Sequence, residues 1–310
     1  MTLSLSPNPD AWALVQAYEA QRHLWPEAPK ASHAPQLLHS LDELLPLADA
    51  LLLDAFGVLN LGAQAIPGAA AALARARAAG VAVRVVSNAA SVPKAALLER
   101  YRAMGFDGAA EEWITSRDVT VAALQAAPPT WRWAVVTPPQ APLDDLPLRQ
   151  VRRCGDGQLF DGDDAVLFLA SQGWDEAAQA RLEAGLRQQP RPVWVANPDL
   201  ISPWERGWVR EPGGWCAGLE ARTGAPVQRL GKPYPAIFER ALATLPQPVR
   251  RDRVWMLGDT LHTDVLGALA SGLRAAWVTG AGASAGLDWA RASALTGIVP
   301  HAVLPFLGPA

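Results

Sequence analysis

Short apolar runs alternate with helical segments along most of this chain, and the alternation restricts its fold more than any other feature. The runs at 51–53, 81–86 and 254–257 have the length and apolar character of buried strands. Segments with helical spacing, such as 68–79 and 235–243, separate these runs. Because strands separated by helices of this length are typical of parallel sheets, the sequence predicts an α/β fold.

The composition is that of a globular chain with a sizeable core. Of the 310 residues, 50% are hydrophobic and 18% are charged, which suits a large α/β domain and a smaller one. A formal net charge of -3 and a pI near 6.0 provide no basic field for nucleic acid. We expect no membrane span and no secretory signal, because no apolar run has the required pattern. Two cysteines without metal-ligand spacing favour a reducing, cytoplasmic compartment.

The order of the predicted elements divides the chain into four segments. Residues 1–40 form an N-terminal extension, with one helix at 10–21. The sequence assigns this extension no chemistry, and we expect it to pack against the core or against a second subunit. Residues 41–130 and 212–310 are the two parts of a parallel-sheet core. The segment 131–211, which begins after a Pro-Pro boundary, is predicted to be an inserted α/β module.

Polar residues follow four of the predicted strands at their carboxyl ends. They are Asp54, Ser87 with Asn88, Lys232, and Asp259 with Asp264. Neighbouring strands of a parallel sheet share one crevice at these ends, so we expect carboxylates, a hydroxyl and an ammonium group to meet there. A carboxylate can act as a nucleophile, further carboxylates can hold Mg²⁺, and a lysine can neutralise phosphoryl oxygens. The set therefore indicates phosphoryl transfer.

Each of these residues also has a simpler structural interpretation. Asp54 is a common turn or cap residue after a strand, and Ser87 can cap a turn in the same way. Lys232 by itself is typical of a solvated surface lysine. Asp264 by itself is typical of a first helical turn, where the helix dipole favours acids. The joint occurrence of the set at successive strand ends favours the functional interpretation.

Four segments together resemble the motifs of the haloacid dehalogenase-like (HAD) superfamily. They are 54–59 (DAFGVL), 87–88 (SN), 231–233 (GKP) and 258–265 (GDTLHTDV). The insertion between the second and third segments, which includes 196–199 (ANPD), is similar to the cap of subfamily IIA, the NagD/p-nitrophenyl-phosphatase-like group. The resemblance covers residues 48–285 and implies a Rossmann-like parallel-sheet core with an inserted C2-type α/β cap domain.

The resemblance implies a role for each motif residue. Asp54 would be the nucleophile that forms an aspartyl-phosphate, Ser87 would bind the transferred phosphoryl group, and Lys232 would bridge the nucleophile and the phosphate. Asn88 would line the same phosphate-binding loop. The Mg²⁺ site would consist of Asp54, the backbone carbonyl of Phe56, Asp259 and Asp264.

The inserted module offers candidate substrate-binding residues. Asn197 and Asp199 follow a predicted strand and can face the crevice, although an ordinary Asn-Pro-Asp turn explains them nearly as well. Trp204, Trp208 and Trp215 can stack on a substrate or pack at the domain interface, and we favour packing.

Phe56 is a departure from the superfamily pattern. Phosphatases of this superfamily carry a second Asp two residues after the nucleophile, which protonates the leaving group and then activates water. A phenyl ring transfers no proton, and general acid–base catalysis typically contributes ~10²–10⁴ in rate. The sequence therefore predicts an intact phosphate and Mg²⁺ site without its usual acid/base. By position, His262 and Asp199 are the candidates to replace it.

Three functions agree with these observations. The first is a Mg²⁺-dependent phosphatase of weak or atypical activity that acts on a small phosphorylated metabolite. The second is a non-catalytic or regulatory protein that binds a phosphorylated ligand. The third is a 2-haloacid dehalogenase, which the aromatic residue at 56 favours and the retained metal-binding segment 258–264 opposes. The resemblance is also compatible with a homodimer formed through the caps.

Overall fold

The computed structural model describes residues 10–204, 207–246 and 248–308, and its architecture is α/β. In chain order its strands are β1 (Gln36–Leu37), β2 (Ala50–Leu53), β3 (Asn60–Leu61), β4 (Gln64–Ala65), β5 (Ala82–Ser87), β6 (Trp113–Thr115), β7 (Arg132–Val136), β8 (Gln150–Arg153), β9 (Ala165–Phe168), β10 (Val193–Val195), β11 (Ile201–Trp204), β12 (Gly207–Arg210), β13 (Val227–Arg229), β14 (Val254–Gly258), β15 (Arg274–Val278) and β16 (Ala302–Leu304).

Helices separate most of these strands. They are α1 (Ala11–Glu19), α2 (Ala69–Ala78), α3 (Lys94–Ala103), α4 (Ser116–Ala126), α5 (Glu176–Gln188), α6 (Pro212–Trp215), α7 (Leu219–Thr223), α8 (Pro235–Ala243), α9 (Leu266–Ala270) and α10 (Trp289–Thr296). Local sequence explains several of their starts. Asp10 and Asp175 accept backbone N–H groups in the first turns of α1 and α5, and Thr115 forms a capping box with Asp118 at α4.

The larger sheet has seven strands in the order β1-β16-β15-β14-β2-β5-β6, and every neighbouring pair is parallel. Successive residues of β2 point to opposite faces of the sheet, as the strand geometry requires. Leu52 belongs to one hydrophobic cluster, which includes Phe238 of α8. Leu51 and Leu53 belong to a second cluster, which includes Leu98 of α3. Helices therefore cover both faces, and the predicted Rossmann-like parallel sheet is confirmed.

A second sheet has five parallel strands in the order β13-β10-β9-β7-β8. The apolar residues on one face of this sheet form a separate cluster with α5, which contains Phe168, Leu182 and Val195. An antiparallel hairpin of β11 and β12 follows β10. Four of its five strands, β7 to β10, lie within residues 131–211, the segment predicted to be an inserted α/β module.

The smaller sheet includes a strand beyond residue 211, the predicted end of that module. Strand β13, at Val227–Arg229, pairs with β10 of the smaller sheet, although the sequence analysis placed it in the core segment 212–310. Its short β-strand pattern after a helix fits either sheet equally well. Only the pairing partner, which comes from more than 30 residues earlier in the chain, decides the matter.

The N-terminal extension packs on the core. Strand β1 extends the larger sheet at one edge by pairing with β16, so a segment predicted to lie outside the core is part of its main sheet. Leu14, Val15 and Tyr18 of α1 are buried in the same hydrophobic cluster as Leu52. The described part of the extension is therefore built into the domain.

None of the described helices combines the length and the apolar character that a membrane span requires. Cys154 and Cys216 are both buried and unpaired, in agreement with the absence of a disulfide pattern in the sequence.

The buried central strand provides a test of this packing. Leu52 is 0% exposed and lies between β14 and β5, so Leu52→Ala should lower the free energy of unfolding by about 2–5 kcal/mol. Leu295 on α10 is 51% exposed, and Leu295→Ala should change it by less than about 0.5 kcal/mol. Urea titrations of both variants measure the difference, and equal losses would contradict the placement of β2.

Candidate active site

Three carboxylates come together at the carboxyl ends of β2 and β14, which are neighbours in the larger sheet. Asp54 follows β2 and Asp259 follows β14, while Asp264 lies in a π-helical turn, Leu261–Val265, that leads into α9. One oxygen from each carboxylate lies within 4.8 Å of the others. The structure thus brings together three of the residues that the sequence predicted as metal ligands.

Lys232 connects two of these carboxylates. Its Nζ lies 2.6 Å from Oδ1 of Asp54 and 2.7 Å from Oδ1 of Asp264, and the residue is 1% exposed. Burial lowers the pKa of Lys232, but Asp264 and Asp54 outweigh this effect and raise the pKa above its ordinary value. The lysine is therefore positively charged at neutral pH.

Lys232 reaches the site from the smaller sheet, a placement that the sequence pattern did not predict. It follows β13, whereas the expectation was a neighbouring strand end of one parallel sheet. The carboxyl ends of the two sheets face the same crevice, and Asn88 links them there. Its Oδ1 accepts the Lys232 backbone N–H (2.7 Å), and its Nδ2 donates to the Lys232 carbonyl (3.1 Å).

The carboxylate cluster carries more negative charge than its lysine balances. Three carboxylates and one ammonium leave two negative charges when all are ionised. Burial, Asp54 and Asp264 raise the pKa of Asp259 well above its ordinary value. Burial and Asp54 raise the pKa of Asp264 to about 7, against the opposing effect of Lys232. An all-oxygen donor set with two excess negative charges fits a hard divalent cation such as Mg²⁺.

Backbone glycines allow the loops to approach Asp259 closely. A Cβ on Gly57 would lie 2.1 Å from Oδ2 of Asp259, and a Cβ on Gly282 would lie 1.9 Å from the same oxygen. Both residues have φ between 60° and 80°, a region that side chains disfavour. The Ala283 amide donates to this Oδ2 at 2.5 Å, and the Thr260 hydroxyl donates to Oδ1 at 3.0 Å. The carboxylate of Asp259 is thereby fixed in place.

Ser87 and Asn88 follow β5, on the other side of β2. The Ser87 hydroxyl accepts the Ala89 amide at 3.3 Å, which is a turn contact, and the side chain also lines the cavity described below. The Nδ2 of Asn88 donates to Oδ1 of Asp199 at 2.8 Å. Asn88 is therefore a bridge between the two sheets as well as part of the predicted phosphate-binding loop.

Asn197 and Asp199 follow β10 of the smaller sheet. Asn197 accepts the Asp199 amide (3.0 Å) and donates to Glu211 (3.1 Å), so it shapes the turn that the simpler interpretation predicted. Burial raises the pKa of Asp199 to about 7, although Lys232 and Asn88 oppose the change. Both residues also line the cavity.

A cavity of about 560 Å³ is lined by residues that follow strands of both sheets, and Asp54 and Asp259 of the carboxylate cluster lie in its wall. Its polar lining includes Asp54, Asp199 and Glu211, and its apolar lining includes Leu169 and Val209. Phe56, Arg100 and Tyr18 line it too, and the Arg100 guanidinium carbon lies 5.9 Å from the centre of the Phe56 ring. Sequence reasoning missed Arg100, Glu211 and Tyr18, because no local motif marks them.

His262 and Asp199, the two candidate replacements for the missing acid, occupy different positions. The Nε2 of His262 lies 2.6 Å from Oε1 of Glu19, and its ring stacks on Tyr18 with centroids 5.1 Å apart. His262 is 1% exposed and is not among the cavity-lining residues, whereas Asp199 is. The geometry therefore favours Asp199.

The tryptophans near the end of the insertion are packing residues where they are described. Trp215 belongs to the hydrophobic cluster of the smaller sheet, with the Arg210 guanidinium 4.0 Å above its ring centre. Trp208 packs against the larger cluster. Neither lines the cavity, and the side chain of Trp204 lies outside the described residues.

Comparison with known sequences identifies relatives whose family is the one that the motifs of this chain resemble. Residues 51–143 match the family model of haloacid dehalogenase-like hydrolases, and residues 229–303 match a second HAD-hydrolase-like model. The chain is 32% identical over 233 residues to D-glycerol 3-phosphate phosphatase from Mycobacterium tuberculosis, a match that covers 73% of this chain and 61% of that relative. It is 30% identical over 244 residues to human chronophin, which covers 73% of this chain and 79% of chronophin.

Solved structures show the same fold. The glycerol phosphate phosphatase of M. tuberculosis in complex with magnesium superposes with a TM-score of 0.67 at 26% identity, over 89% of this chain and 78% of that one. NagD from E. coli has a TM-score of 0.64 at 21% identity, over 84% of this chain and 97% of that one, and shares the fold. Since family models match on both sides of the insertion and chronophin is matched over most of its length, the chain belongs to the haloacid dehalogenase-like hydrolases that its motifs predicted.

Proposed function

We propose that this protein is a Mg²⁺-dependent phosphatase that hydrolyses a small phosphorylated metabolite through an aspartyl-phosphate on Asp54. The observation that carries the proposal is the cluster of Asp54, Asp259 and Asp264 with Lys232, of which Asp54 and Asp259 line the cavity between the two sheets. The related sequences named above include phosphatases, which supports the same reaction class.

The metal would be held by Asp54, Asp259, Asp264 and the backbone carbonyl of Phe56. A bound Mg²⁺ supplies positive charge to the phosphoryl oxygens and orients the phosphate for attack. The magnesium complex of the glycerol phosphate phosphatase relative supports this choice of ion. Phe56 keeps its main-chain oxygen, so its side chain does not prevent this role.

Asp54 and Lys232 perform the first step. A carboxylate oxygen of Asp54 attacks phosphorus, and the bond between phosphorus and the ester oxygen breaks. Lys232, held 2.6 Å from Asp54, reduces the repulsion between this anion and the incoming phosphate. The Ser87 hydroxyl lies at the adjacent strand end, where it can hydrogen-bond a phosphoryl oxygen, and Asn88 lines the same loop.

Asp199 takes the role of the missing acid/base. In its protonated form it gives a proton to the leaving ester oxygen during the first step. Its carboxylate then removes a proton from the water that attacks the aspartyl-phosphate, which releases inorganic phosphate and restores Asp54. Asp199 suits this role because it lines the cavity together with Asp54 and because its pKa lies at about 7.

The cavity supports a substrate larger than phosphate alone. Its apolar residues, such as Val92, Leu97 and Leu169, can cover a carbon skeleton, while Arg100 and Glu211 can contact polar substituents. A small phosphorylated metabolite with both apolar and hydroxylated parts fits this lining.

The nucleophile is tested by Asp54→Asn. This variant should lower Mg²⁺-dependent hydrolysis of p-nitrophenyl phosphate by at least about 10³-fold, because an amide cannot form the covalent intermediate. Asp107→Asn changes an exposed aspartate in the same way and serves as the control, which should retain activity. Equal rates of p-nitrophenyl phosphate hydrolysis in wild type and Asp54→Asn would contradict the proposal.

The acid is tested by Asp199→Asn with two substrates. Glycerol 3-phosphate has a poor leaving group, so kcat for this substrate should fall by ~10²–10⁴. The leaving group of p-nitrophenyl phosphate needs little protonation, so kcat for that substrate should fall much less.

The pH dependence of the wild type tests the same residue. In wild type, kcat for glycerol 3-phosphate should decline above about pH 7, because Asp199 loses its proton there. The titratable groups that face Asp199 are Lys232, Asp54, Glu211 and Tyr18. A parallel decline for both substrates would contradict this assignment.

The second candidate function is binding of a phosphorylated ligand without turnover. The observation that favours it is Phe56, which stands where a phosphatase of this superfamily has its acid/base. It predicts Mg²⁺-dependent binding of inorganic phosphate by wild type, no hydrolysis, and strong hydrolysis in Phe56→Asp. Under the phosphatase proposal wild type is active, and Phe56→Asp adds a second acid to an existing one. Turnover by wild type that depends on Asp54 rules out the binding protein.

A further inference from the structure

Helix α1 contacts the loop that follows β10 in the smaller sheet and the turn that follows β14 in the larger sheet. Leu14, Val15 and Tyr18 are buried in one cluster with Leu200 of the insertion and Leu261 of the loop after β14. The two family models match residues 51–143 and 229–303, so this helix lies outside the part of the chain that they describe. The N-terminal segment thus reaches the candidate active site from outside the matched residues.

Tyr18 makes the central contacts of the helix. Its hydroxyl oxygen accepts the backbone N–H of Leu200 at 3.2 Å. Its ring stacks on His262 at an interplanar angle of 14°, and its carbonyl accepts the Trp25 indole N–H at 3.1 Å. Tyr18 is 4% exposed, so the Leu200 amide receives this partner in a site with little access to water.

Glu19 attaches the same helix to the turn that follows β14. Its Oε1 lies 2.6 Å from Nε2 of His262, in the turn that also contains Asp264. Tyr18 and Glu19 therefore hold, from one helix end, the turn of the larger sheet that carries Asp264 and the loop of the smaller sheet that carries Asp199.

The position of Leu200 makes the contact relevant to Asp199. The two residues are consecutive, so a restraint on the Leu200 amide also restrains the Asp199 carboxylate. Asn88 holds the carboxylate from the core side, and Asn197 holds the Asp199 amide. On the C-terminal side of Asp199, the Glu211 amide donates to the Leu200 carbonyl at 3.1 Å, and the Tyr18 hydroxyl adds a restraint on the Leu200 N–H.

We propose that Tyr18 is a positioning residue, which fixes the loop carrying Asp199 over the nucleophile through its hydrogen bond to the Leu200 amide. This inference rests on the proposed function, in which Asp199 is the proton donor. The loop is attached to a separate sheet, and such modules move relative to one another unless contacts hold them. Proton transfer requires that the acid lie within hydrogen-bond distance of the ester oxygen. The hydrogen bond from the Leu200 amide to Tyr18 would keep Asp199 at that distance.

Tyr18→Phe removes the hydroxyl and retains the stacked ring, so it separates positioning from packing. On the full chain, kcat for glycerol 3-phosphate should fall by about tenfold and kcat for p-nitrophenyl phosphate by less than about twofold, with little change in KM. The matched control is Tyr101→Phe, which removes another buried tyrosine hydroxyl, bonded to Asn60 at 3.0 Å. It should leave the ratio of the two rates unchanged.

A double-mutant cycle tests the connection with Asp199. In the Asp199→Asn background, Tyr18→Phe should no longer change the ratio of the two rates, because the proton donor is already absent. A merely structural role of Tyr18 would lower both rates equally in both backgrounds, and that result would overturn the proposal. No effect of Tyr18→Phe on either substrate would overturn it as well.

Hydrogen exchange at the Leu200 amide provides a readout that needs no activity. Tyr18→Phe should accelerate its exchange by about three- to tenfold, whereas Tyr101→Phe should not. If wild type hydrolyses neither substrate, the proposed function fails, and the exchange rate still shows whether Tyr18 holds the loop. An unchanged exchange rate at the Leu200 amide in Tyr18→Phe would overturn the proposed role of Tyr18, whatever the enzymatic result.

Discussion

The ion pairs of Lys232 with Asp54 and Asp264 are the interaction on which the candidate site depends. Burying a charge is costly unless a partner of opposite sign lies close by, and here one ammonium serves two carboxylates at 2.6 and 2.7 Å. The lysine comes from the smaller sheet and the two acids come from the larger one. The same contacts that lower the cost of burial therefore also draw the two sheets together around the crevice.

The cluster of Asp54, Asp259 and Asp264 carries an excess of negative charge that the proposed metal and phosphate would offset. Burial and neighbouring carboxylates raise the pKa of Asp259 and of Asp264, which shows that the protein holds these acids in an unfavourable electrostatic environment. A divalent cation and a phosphate group supply complementary charges to such a site. The glycines beside Asp259 allow the crowding that the arrangement requires.

Much of the candidate site could be predicted because its residues sit in local patterns. Asp54 and Asp259 each follow a short apolar strand, and such strands pair in parallel when helices connect them. The register of β2 with β14 then places both acids at one edge. Strand β13 was assigned to the wrong sheet, because three residues carry no information on their partner. His262 looked equivalent to Asp199 in sequence, yet it packs against α1 behind the cavity wall.

The sequence by itself determined the fold class, the family and the set of acids, because strand periodicity and motif spacing are local properties of the chain. It also identified Phe56 as the position where the expected acid is missing. Only the tertiary structure decided that Lys232 reaches across from the second sheet, that Asp199 lines the cavity, and that Tyr18 joins the two walls. These are contacts between residues up to 182 positions apart. Such pairings depend on how whole layers pack, and no local pattern records that packing.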